Sequence, residues 1–104
     1  MVSLTHRTIV LLKEPADAPH LSEAEQARLQ AQHLDHLTAM RERRAMITAG
    51  PFRRQDDAML RGMCLYRTNL EETRALAESD PAVRAGILCV EAFEWHFPEG
   101  DLPR

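Results

Sequence analysis

Apolar residues recur along this chain with two spacings that alternate from one end to the other. Short segments rich in β-branched residues, or alternating between the two sides, predict strands, whereas apolar residues three or four positions apart predict helices. The predicted elements are, in chain order, a strand over 4–12, a helix over 22–44, strands over 45–48 and 58–67, a helix from Thr68 or Asn69 to near Ser79, a helical turn after Asp80, and a strand over 87–96.

The resulting order, β-α-β-β-α-β, is that of the ferredoxin-like split pattern, an α+β fold with a four-stranded antiparallel sheet and two helices on one face. The predicted last strand is nevertheless apolar on both sides, with Val90 and Ala92 on one side and Phe93 and Trp95 on the other. A symmetric partner that lays its own sheet there is the simplest cover for the second face. We therefore expect a homodimer through the sheet faces, a dimeric α+β barrel, whose clefts can hold a small molecule.

Capping residues mark where the predicted helices begin. Ser22, with Glu25 three positions later, predicts a capping box at the start of the first helix. Asp80 before Pro81 is typical of an N-cap followed by the first helical position, and Gly86 ends that short turn. One oxygen of the Asp80 carboxylate can cap the turn while the other faces a cleft, so a capping role and a chemical role are compatible.

One face of the first predicted helix carries ionisable groups among apolar residues. His33 shares this face with Leu29, His36, Leu37 and Met40 by the i, i+4, i+7 rule. An imidazole titrates at about pH 6.5 in water, so it can take and return a proton near neutral pH. The alternative is a structural histidine at the edge of the core that only hydrogen-bonds a carbonyl group.

His33 and His36 also form an H-x-x-H pair, a spacing that allows two metal ligands on one helix face. Zinc usually needs about three or four protein ligands, and His6, His20 and His96 have no supporting spacing. We therefore expect no metal. We expect His36 to contribute to ligand binding from the solvent edge or from behind the other histidine.

Composition narrows the classes of function. The 104 residues carry a formal net charge of −3, which argues against binding to nucleic acid or to an anionic membrane. No apolar run approaches the roughly 20 residues that span a membrane, and the N-terminal segment alternates instead of forming a signal-peptide block. We expect a cytoplasmic protein with one domain over 1–98, a polar tail over 99–104, and two buried free thiols at Cys64 and Cys89.

Four short motifs follow one another in a characteristic order. They are His33 on the first helix, Ala49-Gly50-Pro51 after the second strand, Asp80-Pro81, and Ala85-Gly86 before the last strand. In these motifs, over nearly its whole length, the chain resembles the YCII-related (YciI-like) family of the dimeric α+β barrel superfamily. The resemblance implies a dimeric ferredoxin-like fold with an active site built on a histidine and an aspartate.

The best-attested activity of that family is dehydrochlorination of a chlorinated hydroxyhydroquinone in aromatic degradation, without a cofactor. Its fold is similar to that of muconolactone isomerases. Carried over, the resemblance implies His33 as the general acid/base and Asp80 as its carboxylate partner. The chain departs from the common pattern at Ala82, where an aromatic residue often follows Asp-Pro. It departs again in the loop 52–57, where a glycine-rich segment is common.

Residues near these motifs are further candidates. We expect Gly50 and Pro51 to form a turn that shapes the rim of the site. Arg61 is a candidate to orient an anionic ligand, or else to form a surface ion pair. Asp56 or Asp57 would be the carboxylate partner of the histidine if their loop folds over the cleft.

The leading hypothesis is a small cofactor-independent lyase or isomerase in which His33 moves protons on a ring-derived molecule, such as a hydroxyquinol or a lactone. The alternative is a non-catalytic dimeric module that binds a small molecule or supports a partner protein. A haem-binding or haem-degrading protein is a third hypothesis, and it rests on fold analogy alone.

Overall fold

The computed structural model describes residues 2–102. Its elements are β1 (Leu4–Lys13), α1 (Glu23–Glu42), β2 (Met46–Pro51), β3 (Leu60–Tyr66), α2 (Leu70–Glu78), α3 (Pro81–Arg84) and β4 (Cys89–Pro98). This is the predicted order, with the expected extra helical turn, α3, between α2 and β4. Within the described residues, no helix combines the length and the apolar character needed to cross a membrane.

The four strands form one antiparallel sheet in the order β2-β3-β1-β4. At its centre, Val10 of β1 pairs with Cys64 of β3 on one side and with Ala92 of β4 on the other. The predicted α+β class and the ferredoxin-like sheet are thereby confirmed. Because β2 and β4 are the edge strands, each pairs on only one side of its backbone.

The core lies between the helices and one face of the sheet. Its buried apolar residues come from both layers and are Val10, Leu12, Met40, Ala45, Met46, Cys64, Tyr66 and Ala77. The first helix turns Leu29, His33 and Met40 inward, in agreement with the helical spacing of the sequence. A polar imidazole thus lies on a buried stripe, and its partner has to come from a neighbouring element.

The N-terminal caps of the helices are those that the sequence predicts. Ser22 and Glu25 form the reciprocal capping box at the start of α1. The C-terminus of α1 comes two residues earlier than predicted, because Arg44 adopts the left-handed conformation with φ 61°. The Ala45 N–H then donates to the Met40 carbonyl at 3.1 Å, which closes a Schellman motif.

The prediction of a turn at Gly50 and Pro51 is wrong. Both residues belong to β2, where Gly50 pairs with Met63 and Pro51 pairs with Gly62. The proline is compatible with this place because it ends an edge strand, where sheets tolerate a residue without an N–H group. The chain reverses in the loop 52–59, so β3 begins two residues later than predicted.

The last strand also begins two residues later than predicted, at Cys89. The N–H groups of Ile87 and Leu88 both donate to the Ala82 carbonyl, which keeps this segment against α3. Cys89 opens an edge strand and is exposed. The prediction of two buried thiols is therefore wrong for Cys89 and confirmed for Cys64.

The sheet face opposite the helices carries the apolar residues that the two-sided pattern of the strands predicts, with Arg7 beside Trp95 and Glu91 beside Leu11. Phe93 and Trp95 project from it with 38% and 41% of their surface exposed. The Arg7 guanidinium lies 6.0 Å from the centre of the Phe97 ring. The residues that motivate a dimer through this face are therefore placed as expected, and the dimer itself stays a prediction.

The structure describes the predicted domain, 1–98, and the predicted tail, 99–104, except for residues 1, 103 and 104. The Glu99 N–H donates to the Ser3 carbonyl at 2.9 Å. The beginning of the tail is therefore held next to the start of β1.

Candidate active site

The carboxylate of Asp80 contacts two different groups at once. Its Oδ1 accepts a hydrogen bond from the Ala82 N–H at 2.9 Å and so caps α3. Its Oδ2 lies 2.5 Å from Nδ1 of His33. Because Asp80 is only 2% exposed, both contacts are made away from bulk water. The structure thus brings together the histidine and the aspartate that the sequence motifs singled out.

Local sequence explains why Asp80 is held in this position. α2 has its C-cap at Ser79, and the Asp80 N–H donates to the Ala77 carbonyl at 3.2 Å. Pro81 takes the first position of α3, where its fixed φ suits a helix and an N–H is not needed. Gly86, with φ 80°, ends the short helix in a conformation that other residues rarely adopt. The carboxylate is therefore fixed to a rigid turn between α2 and β4.

The contact with Asp80 orients the imidazole of His33. A carboxylate oxygen accepts a hydrogen bond from Nδ1–H, which assigns the proton of the neutral ring to Nδ1 and leaves the lone pair on Nε2. His33 is 9% exposed and lines a cleft. Nε2 is therefore the nitrogen available to a molecule bound in that cleft.

A cleft of about 900 Å³ opens beside His33. It lies between α1, the adjoining ends of β1, β2 and β3, and the segment that precedes β4. Its lining is mainly apolar around the histidine and includes Leu12, Leu34, Leu37, Ala49, Ala82, Ile87 and Leu88. A cleft of this size and character suits a small molecule that contains a ring.

Two arginines bring positive charge to the cleft lining. Arg61 forms an ion pair with Glu14, with 3.0 Å between Nη2 and Oε2, which is one of the two roles that the sequence left open. Arg41 lies in the last turn of α1 and was not singled out by the sequence pattern. Its distance from His33, two intervals of four residues, is the signal that could have placed it on the same stripe.

His36 lies one turn after His33 but outside the cleft lining. Its Nε2 is buried and has no hydrogen-bond partner within the described structure. Burial lowers the pKa of His36; the Asp80 carboxylate opposes this effect, and the charges of His33 and Arg43 reinforce it. His36 is therefore neutral near pH 7, next to the pair formed by His33 and Asp80. In the part of the chain that is described, no three His, Cys, Asp or Glu residues form a group that could hold a metal ion.

The loop 52–59 does not supply the partner of His33. Asp57 uses Oδ1 to accept a hydrogen bond from the Met59 N–H at 2.9 Å, within its own loop. Asp56 and Asp57 are exposed, and neither lines the cleft. Of the three aspartates considered from the sequence, the one in contact with the imidazole is the N-cap of α3.

Gly62 lines the cleft and was not recognised from the sequence pattern. A Cβ atom at this position would lie 2.7 Å from the Gly50 carbonyl oxygen, so only glycine fits without a shift of the backbone. Gly50 and Pro51 also line the cleft, as strand residues and not as a turn. An isolated glycine inside a predicted strand is the signal that could have revealed this close approach.

A scan against known protein families matches residues 8–96 to the YCII-related domain. The chain belongs to the YCII-related family. The matched range contains both His33 and Asp80. A search of curated proteins finds no match to this YCII-related chain.

Among solved structures, this YCII-related chain is similar to a 5-chloro-2-hydroxyhydroquinone dehydrochlorinase from Burkholderia phenoliruptrix AC1100 in complex with 2,5-dihydroxybenzoquinone. The TM-score is 0.62 and the sequences are 16% identical, with 86% of this chain and 92% of that chain covered. At this level of identity the likeness shows a shared fold.

Proposed function

We propose that this YCII-related protein is a small cofactor-independent enzyme of the lyase or isomerase type. In this proposal His33 is the general acid/base and Asp80 is its carboxylate partner. The observation that carries the proposal is the 2.5 Å contact between Nδ1 of His33 and Oδ2 of Asp80 beside a mainly apolar cleft. This arrangement leaves a lone pair on Nε2 and places a compensating negative charge on the other side of the ring.

The proposed proton transfer is made by Nε2 of His33. Nε2 removes a proton from a carbon or hydroxyl group of the substrate, and Asp80 stabilises the imidazolium that forms. In an isomerisation, the same nitrogen returns the proton to a different atom. In a dehydrochlorination, the electron pair of the C–H or O–H bond that loses its proton forms a new double bond. Chloride then leaves with the electron pair of the C–Cl bond. A positioned acid/base of this kind contributes about 10²–10⁴-fold to the rate.

The cleft supports a ring-derived substrate. Its volume of about 900 Å³ lies in the range of small-molecule sites. Ala82, where the family often has an aromatic residue, is 1% exposed in the cleft wall and fills little of the space. The dehydrochlorinase of the same fold binds 2,5-dihydroxybenzoquinone. We propose chlorinated or unchlorinated hydroxyquinols, or muconolactones, as the substrate class.

We also propose that two copies of the chain associate through their sheet faces and act in the cytoplasm. The open face supports the dimer through partly or fully exposed apolar residues of the three strands β1, β3 and β4, namely Leu11, Met63, Phe93 and Trp95. Removing such surface from water stabilises association by about 25 cal/mol per Å². Free thiols at Cys64 and Cys89 suit a reducing compartment.

Turnover of defined compounds tests the enzyme proposal. The wild type and His33→Gln are assayed for spectral change and chloride release on chlorinated and unchlorinated hydroxyquinols and on muconolactones, without added metal. We expect turnover by the wild type and a loss of about 10²–10⁴-fold in His33→Gln. His96→Gln is the matched control, because it removes an exposed imidazole that pairs with Glu94 instead of lining the cleft. A folded His33→Gln that keeps the wild-type rate contradicts the proposal.

A non-catalytic binding module is the second candidate. The side chain of His33 is only 11% exposed, which also suits a structural imidazole. Titration of His33 by NMR separates a histidine that contacts ligand from a purely structural one. An imidazole whose titration changes when ligand is added contacts the ligand, as acid/base catalysis requires, and one that never titrates supports a structural role. The turnover assay then separates catalysis from binding alone.

A further inference from the structure

The two arginines that line the cleft differ in their partners. Arg61 has its charge compensated by Glu14, and its Nη1 donates to the Ala58 carbonyl at 2.6 Å. Arg41 donates only to the neutral hydroxyl group of Thr38, at 3.4 Å. Among the described residues, no carboxylate forms an ion pair with Arg41. Its guanidinium is therefore an uncompensated positive charge at the cleft.

Arg41 lies on the same stripe of α1 as the proposed acid/base. His33, Leu37 and Arg41 follow one another at intervals of four residues, and all three line the cleft. Eight residues of α-helix rise by about 12 Å. Helical side chains lean toward the N-terminus, and the contact with Thr38 shows that the guanidinium leans back by about one turn. Because the imidazole of His33 leans the same way, the cation lies between about 7 and about 12 Å from it along the helix axis, a span that one substituted six-membered ring can bridge.

Arg41 lies at the solvent-exposed rim of the cleft. Burial and the charge of Asp80 raise the pKa of the Cys64 thiol on β3 to about 12, and Arg41 acts in the opposite direction. The other acidic residue of the lining, Glu23, lies in the first turn of α1, about 27 Å along the helix from Arg41. Positive charge therefore dominates this end of the cleft.

We propose that Arg41 is a substrate-binding residue that selects ring compounds carrying an anionic group, such as a phenolate, an enolate or a carboxylate. This inference rests on the proposed function, because it assigns the far end of the same substrate whose proton His33 takes. A guanidinium binds such groups through two parallel N–H donors, so it orients the ring in addition to attracting it. The anchored anion places the opposite edge of the ring next to Nε2 of His33.

A matched pair of ligands tests this role. The anionic probe is 2,5-dihydroxybenzoquinone, a vinylogous acid that is ionised at neutral pH. The neutral probe is 2,5-dimethoxybenzoquinone, which has the same ring and no ionisable group. Isothermal titration calorimetry measures both affinities for the wild type, Arg41→Gln, Arg41→Lys and Arg43→Gln. The last variant is the matched control, because it removes the same charge from an exposed residue outside the cleft.

We expect Arg41→Gln to weaken binding of the anionic probe by about 10- to 100-fold and to change binding of the neutral probe by less than about twofold. Arg41→Lys restores part of the affinity, because lysine keeps the charge and loses the two parallel donors. Arg43→Gln keeps the wild-type preference for the anion. Wild-type affinity of Arg41→Gln for the anionic probe overturns the inference, and so does an equal loss for both probes.

The inference and the proposed function fail in different ways. If Arg41→Gln loses the preference for the anion while His33→Gln keeps full turnover, the anion site stands and the acid/base role is wrong. If His33→Gln abolishes turnover while Arg41→Gln keeps its affinity, the acid/base role stands and the anion site is wrong. A wild type that binds neither probe overturns the role of Arg41 and leaves the acid/base proposal to be decided by its turnover assay.

Discussion

Asp80 places one carboxylate oxygen 2.5 Å from Nδ1 of His33 while its other oxygen accepts the Ala82 N–H at 2.9 Å. The capping bond ties the carboxylate to α3, so the group that orients the imidazole is itself held by the backbone. A rigid support of this kind keeps a reactive side chain in one geometry. The structural and the chemical role of Asp80 use different oxygens, so substitutions can separate them.

Replacing Asp80 by Asn keeps an oxygen for the cap and changes the group that faces His33. An amide that donates to Nδ1 moves the proton of the neutral ring to Nε2, which then cannot act as a base. We expect Asp80→Asn to lose about 10²–10⁴-fold in turnover while it keeps the cap. Asp80→Ala also loses the cap and should be about 0.5–2 kcal/mol less stable than Asp80→Asn. Urea unfolding and turnover are measured on the same preparations, and equal stability of the two variants would contradict the dual role.

Gly62→Ala tests the close approach of β2 and β3 at the cleft. The new Cβ would lie 2.7 Å from the Gly50 carbonyl oxygen, which belongs to the backbone and cannot rotate away. We expect the free energy of unfolding to fall by about 1–3 kcal/mol, because such overpacking forces a backbone shift. Gly50→Ala is the control, since its Cβ would meet nothing within 4 Å. If thermal unfolding shows the same stability for both variants, β2 and β3 are not packed closely enough at this point to exclude a Cβ at position 62.

Local signals account for the parts of the site that the sequence predicts. Asp80 before Pro81 and the later Gly86 define a capped helical turn through dihedral preferences that act over a few residues. The spacing of Leu29, His33 and Met40 defines the buried stripe of α1 in the same local way. The resemblance to the YCII-related family adds the link between the histidine and the aspartate, which lie 47 positions apart.

Features that the sequence did not reveal depend on pairing between distant segments. Gly50 and Pro51 have the composition of a turn, yet they are strand residues because β3 pairs alongside them. The need for glycine at position 62 exists only in that register. Arg44 occupies a left-handed position that usually belongs to glycine, so no local signal marked the end of α1. Arg41 became a cleft residue only when α1 was placed over the sheet.

The two thiols should differ in reactivity. Cys64 is buried and its pKa is raised to about 12, whereas Cys89 is exposed. Because the thiolate is the species that reacts, we expect iodoacetamide at mildly alkaline pH to modify Cys89 alone in the native protein and both residues in denaturant. Mass spectrometry of the labelled peptides identifies the modified residue. Rapid labelling of Cys64 in native Cys89→Ser would contradict its burial beneath the helices.

Acid should lower the stability of the fold through His36. Because burial lowers the pKa of His36, the unfolded chain binds more protons than the folded chain once the pH falls below the ordinary value of 6.5. The contribution of the neutral imidazole is complete above that pH and is lost as the pH falls through the lowered pKa. We expect the urea midpoint of the wild type to fall more steeply from about pH 7 to about pH 5 than that of His36→Gln. Parallel pH profiles would show that His36 is as accessible to protons in the folded state as in the unfolded state.

Trp95→Glu tests association through the open sheet face. Trp95 is 41% exposed on the side of the sheet that carries no helix, and Trp95→Glu replaces its apolar ring by a charge that would lose its water when a second copy covers the face. We expect light scattering to give the wild type twice the mass of one chain and Trp95→Glu the mass of a single chain. Met59→Glu is the matched control, because Met59 is 44% exposed in the loop before β3 and is not part of the strands that form the face, so this variant should stay dimeric. A wild type with the mass of one chain would contradict the proposed assembly. Because the cleft lies on the helix side of the sheet, the acid/base proposal would then be tested on the monomer.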